Sequence, residues 1–174
     1  MLNDNIQNGM HYGLLIALAI ALTFAAVSDI RRRLIANWLT GAIALGAPLF
    51  WWASPTFATW TDIAWQLGFA LVATAVLIGI YAIGYALKVL IMGGGDVKLL
   101  AALSLWFGPV NYIQLLMVMA TVGGLMAVGF IVRRVVFKPK TPGVLPYGVA
   151  IAFGALWIIF FNLVPQAATA AAAL

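Results

Sequence analysis

Long apolar blocks alternate along this chain with short polar or charged separators. A helix crosses the hydrocarbon core of a bilayer with about 20 apolar residues. On that rule the blocks predict six spans, at Tyr12–Ser28, Ile35–Ala53, Ile63–Leu87, Leu99–Tyr112, Ile113–Val132 and Leu145–Val164. The fourth is short for a full crossing, which implies that the glycine stretch before it dips below the membrane surface. The third can extend to Met92 if Lys88 reaches the headgroups along its aliphatic stem.

Composition fits this pattern: 66% of the 174 residues are apolar and 7% charged. The mean hydropathy is +1.11. The expectation is an all-α, polytopic membrane protein forming one domain over residues 1–174, with 165–174 a flexible alanine-rich tail. The basic residues cluster at Arg31–Arg33, at Lys88 and Lys98, and from Arg133 to Lys140. Six helices with both termini outside put all nine on the cytoplasmic side, as the positive-inside rule requires. The expected location is the inner membrane, multi-pass, in contact with lipid. Short basic clusters between apolar runs do not make a nucleic-acid face. Met1–Met10 carries Asp4 and no lysine or arginine, so the first block reads as a retained span rather than a cleaved signal. Trp51, Trp52 and Trp60 are expected in an interfacial belt. Small residues four apart, Ala120 with Gly124, Gly123 with Ala127 and Ala150 with Gly154, are expected to let helices approach closely.

Without cysteine, and with His11 as the only histidine, the chain offers no disulfide or thiolate metal site, and no metal or cofactor is expected. Its chemistry rests on four acids. Asp4 lies in a polar stretch, and Asp62, following Thr61, fits a helix cap. Asp29 and Asp96 stand at the cytoplasmic ends of apolar segments, where a carboxylate is costly and so points to function. Plainer readings exist for each: an ion pair of Asp29 with Arg32 or Arg33, and capping of the fourth span by Asp96. Both acids nevertheless fall at one membrane depth. Two carboxylates brought close share a proton, and such a pair can hydrolyse a peptide: one takes a proton from water while the other donates to the scissile carbonyl.

Asp96 follows Gly93, Gly94 and Gly95, three residues that disfavour helix, so the stretch Met92–Lys98 is expected to be unwound beside a wet cleft where an extended substrate lies against bare backbone. Leu22, Ala25 and Ala26, on the face of the first span before Asp29, are expected to leave room for a substrate helix.

Gly93-Gly94-Gly95-Asp96 is a GxGD motif, and GGGDVKLLAALSLWFGP resembles the corresponding run of prepilin peptidases, the GxGD intramembrane aspartyl proteases. Ser28 to Asn37 is similar to that family's first catalytic segment, an aspartate followed by basic residues and Ile-Pro-Asn, with Ala36 in place of the proline. That difference implies a less rigid break, from which helix can continue at Ile35 and which Asn37 can cap. Pro146-Tyr147-Gly148, opening the last span, also resembles the family. The resemblance implies an aspartic endopeptidase acting on type IV-like prepilins at the cytoplasmic membrane face, with Asp29 and Asp96 catalytic. It implies substrate contacts at Gly93, Gly94, Gly95, Asn37, Pro146, Tyr147 and Gly148. A short, cysteine-free chain is similar to the peptidases of Tad/Flp pilus systems and not to the longer enzymes with a zinc-binding insert and methyltransferase activity. Three other readings are a signal-peptide-peptidase-like or presenilin-like protease, against which Ser28 stands before Asp29 where those have tyrosine, an inactive pilus-assembly protein, and a small transporter using the acids as a proton relay. The relay calls for acids near the bilayer middle and internal symmetry, neither of which the sequence has.

Overall fold

The computed structural model describes residues 2–57, 59–88, 92–137 and 146–165. These form six α-helices: α1 (Leu2–Arg32), α2 (Asn37–Ala53), α3 (Trp60–Ala86), α4 (Gly94–Ser104), α5 (Pro109–Phe137) and α6 (Tyr147–Ile158). A 3₁₀ turn, Pro55–Phe57, follows α2, and α6 continues as a π turn over Ile159–Leu163. Segments of α1, α3 and α5 are long and apolar enough to cross a membrane: Ile6–Arg32, Trp60–Ala86 and Pro109–Val136. The predicted start of the last span at Leu145, Lys138, Lys140, the tail from Gln166 and the side chain of Asp4 lie outside the described residues.

The expected fourth span, Leu99–Tyr112, divides in two. α4 has 11 residues, about 16 Å against a core of about 30 Å. Pro109 opens α5, where its missing N–H costs nothing. The carbonyls exposed by stopping α4 early are taken up by side chains. Gln66 Nε2 donates to Ser104 O at 2.8 Å and Phe107 O at 3.1 Å, and Trp51 Nε1 donates to Leu105 O at 2.9 Å. In the same turn Trp106 Nε1 donates to Ile43 O at 2.8 Å. Irregular backbone within a membrane protein survives when protein groups satisfy it in this way. Trp51 therefore belongs to the packed interior, at 7% exposure, whereas Trp52 and Trp60 are open as an interfacial belt requires.

The break between α1 and α2 persists without its proline. Arg33 takes a left-handed φ of 53°, its N–H donates to Asp29 O, and Ser28 Oγ donates to Leu34 O. Ala36 adopts φ −65° and ψ 133°, the φ that a proline ring would impose. Helix does not continue from Ile35, and Asn37 does not cap α2, because the N-cap is Ala36. α3 stops at Ala86, with Lys88 at φ 55°, so it does not run on to Met92. At its start Thr59 is the N-cap and Asp62 closes a capping box: the Asp62 carboxylate accepts from Thr59 N while Asp62 N–H donates to Thr59 Oγ1.

The core gathers Leu15, Leu18, Leu22 and Ala25 of α1 against Leu99, Leu100 and Leu103 of α4 and Ile151, Ala155 and Ile158 of α6. Leu22 and Ala25 are fully buried. They leave no space for a substrate helix, contrary to expectation, because α6 packs on that face. Gly154 lets α6 meet α5 backbone to backbone: a Cβ there would lie 3.0 Å from Leu115 O. Gly124, of the predicted pair with Ala120, faces open space.

Candidate active site

Asp29 lies in the last turn of α1 on the same face as Leu22 and Ala25, seven and four residues earlier. It is 7% exposed. A carboxylate so enclosed needs a donor, and it finds one on another helix: Gly148 N–H donates to Asp29 Oδ2 at 2.8 Å. Among the described residues no ion pair joins Asp29 to Arg32 or Arg33. Gly148 is the second residue of α6. A Cβ at Gly148 would stand 2.7 Å from Asp29 Oδ2 and 3.0 Å from its Cγ, so the approach is open only to glycine.

The other two residues of that segment set the start of α6. Pro146 is the N-cap, at φ −78° and ψ 87°. Tyr147, half-exposed, lays its ring beside α5, where Cε1 is 3.4 Å from the position of a Cβ on Gly123. The structure thus brings Pro146, Tyr147 and Gly148 to the end of α1, 119 positions away from Asp29 at the hydrogen bond.

Asp96 is the N3 residue of α4, behind Gly93 as N-cap. The glycine stretch is not an unwound loop. Gly94 and Gly95 form the first helical turn, and Val97 N–H donates to Gly93 O. Helix is tolerated here because α4 packs against its neighbours, which outweighs a cost of roughly 1 kcal/mol per glycine. The surroundings of the three glycines differ. A Cβ on Gly93 would lie 2.9 Å from Asp96 Oδ2, and one on Gly95 would lie 3.4 Å from Ile35 Cβ. Gly94 has only Tyr81 Oη, at 3.8 Å. The steric demand therefore falls on the first glycine; a Cβ on the third would be in ordinary contact with Ile35, and the second is nearly free.

Asp96 is half-buried and stands outside the long apolar spans. Burial first, and then the negative charge of Asp29, push its carboxyl up from 3.8 to about 6, against an opposing contribution from the Gly93 N–H. Asp96 also occupies the helix position where a negative charge is favourable, so capping and chemistry are compatible here.

Asn37 is exposed, and its Oδ1 accepts from Lys98 Nζ at 2.9 Å, tying α2 to α4. Ile35 and Tyr81 carry no signal in the sequence that would have placed them near the glycines. An apolar groove of about 720 Å³ between α1 and α6 is lined by Ile20, Phe24, Val27 and Phe160 among others. Val27 and Asp29, two residues apart on a helix, point about 200° from each other, so this groove opens on the side of α1 away from the carboxylates.

A protein-family model described as the type IV leader peptidase family matches residues 16–128. That stretch includes both acids and the glycines and ends before α6. Comparison with curated proteins and with solved structures gave no match.

Proposed function

Because the chain belongs to the type IV leader peptidase family, we propose that it is an aspartic endopeptidase that cuts the leader from type IV-like, Flp-class prepilins at the cytoplasmic face of the inner membrane, for pilus assembly. The observation that carries this reading is that the family match takes in both Asp29, enclosed at the end of α1 and held by Gly148 of α6, and Asp96, half-buried in the first turn of α4 behind the GxGD glycines. In this reading the two acids hold one proton between them. The ionised member removes a proton from water as the water oxygen attacks the scissile carbonyl carbon, and the protonated member donates to the carbonyl oxygen. Collapse of the tetrahedral intermediate breaks the C–N bond: the mature pilin's amine takes up a proton from the pair, a hydroxyl of the diol returns one to it, and the leader leaves as a carboxylic acid.

The basic clusters support an orientation with both termini outside and both acids cytoplasmic. In it α4 reaches only partway through the bilayer and turns back against Trp51 and Gln66. The cysteine-free sequence supports the short Tad/Flp type of enzyme. The test is to incubate the purified protein in lipid vesicles with a full-length Flp-type precursor and to follow the products by mass spectrometry. One cut at the leader junction is expected. An intact precursor under conditions where the protein is folded contradicts the proposal.

A further inference from the structure

The family resemblance implies a substrate contact at Gly148, and the geometry points to a different role. We propose that Gly148 is a positioning residue, whose backbone N–H holds Oδ2 of Asp29 so that Oδ1 is left for the reaction. This inference rests on the protease reading of the same site.

The contact has three parts. The N–H of Gly148 donates to Oδ2 at 2.8 Å. The Cα of Gly148 lies so close that a methyl group would overlap the carboxyl group at 2.7, 3.0 and 3.1 Å from Oδ2, Cγ and Cβ. Asp29 itself is enclosed, so neither it nor the first turn of α6 can shift cheaply. A peptide substrate could not reach a Gly148 N–H already given to Asp29. The first turn of α6 is in turn braced from the far side by the Tyr147 ring against Gly123 of α5. Position thus passes from α5 through Tyr147 and Gly148 to Asp29. Pro146, Tyr147 and Gly148 act as one wedge: a fixed entry, a brace and a donor.

The test separates positioning from substrate binding by steady-state kinetics on the vesicle-embedded enzyme. The wild type must cleave the precursor in the same assay, so failure of the protease reading shows there first. Gly148→Ala is expected to lower kcat about 100-fold with KM within about twofold. Gly123→Leu, which pushes on the Tyr147 ring and on Ala150 of the same helix, is expected to lower kcat several-fold with the same KM. A raised KM at unchanged kcat in Gly148→Ala restores the substrate-contact role and overturns the proposal, as do unchanged kinetics. A second readout needs no activity. Asp29 is expected to resist a carboxyl-reactive label in the wild type and to be labelled in both variants, as mapped by mass spectrometry. Equal labelling in all three contradicts the proposal even if Gly148→Ala proves too unstable for kinetics.

Discussion

Gly148 donates its backbone N–H to the buried carboxylate of Asp29 at 2.8 Å, joining the start of the last helix to the end of the first. The contact makes α6 part of the candidate centre, although the family model's match ends at residue 128. The acids are thereby held from two directions, Asp29 by α6 and Asp96 by the first turn of α4.

The Asp96 carboxyl, raised from 3.8 to about 6, sets a pH dependence with a definite sign. Between those values the folded protein binds a proton more tightly than the unfolded chain does, so stability falls as pH rises through the window. Measured by thermal unfolding in detergent, the Tm of the wild type relative to that of Asp96→Asn should be lower by a few degrees at pH 7 than at pH 5. Cleavage should also decline above about pH 6, as the pair loses its shared proton. A rate that keeps rising to pH 9 contradicts the shared-proton pair.

The glycines should separate by position. Gly94→Ala meets only Tyr81 Oη at 3.8 Å and replaces a helical glycine, so it should fold at least as well as the wild type, by up to about 1 kcal/mol. Gly95→Leu must displace Ile35 and should cost about 1–3 kcal/mol. Thermal unfolding of the two variants checks the order, and equal Tm values contradict it.

Gln66 should matter for stability far more than its place in an apolar helix suggests. Its amide serves two buried carbonyls at the turn after α4, and Gln66→Leu leaves them unpaired at a cost of about 1–3 kcal/mol. The expected result is a Tm lower by several degrees, with cleavage at low temperature retained. An unchanged Tm shows that the carbonyls find other partners.

Orientation is open to a direct check. In the cysteine-free chain, single cysteines introduced at Thr59 and at Arg133 should react with an impermeant thiol reagent from the periplasmic and the cytoplasmic side respectively. The reverse pattern contradicts the proposed topology.

Much of this arrangement is legible in the chain itself. Apolar blocks locate the helices, since burial in lipid depends on composition more than on fine patterning, and the GxGD run singles out Asp96. What the sequence does not disclose depends on neighbours far away in it. The Gly108–Pro109 signal is visible, yet the stop of α4 at Ser104 depends on Gln66 and Trp51 arriving from other helices. Ala36 hides the break before α2 because alanine can take a proline-like φ without being forced to. The three glycines read as loop on propensity, whereas tertiary packing makes two of them helical. Asn37 reads as a cap by type, but Lys98, 61 positions away, takes its side chain.

The central claim, that Asp29 and Asp96 together cut the peptide bond, is tested most directly by Asp29→Asn and Asp96→Asn, each reconstituted with the precursor beside a wild-type control of equal Tm. An asparagine at 29 can still accept from Gly148 N–H, so the fold is expected to hold. Each variant should lose cleavage by about 10²–10⁴-fold. Cleavage at the wild-type rate by either one removes that acid from the chemistry and contradicts the account.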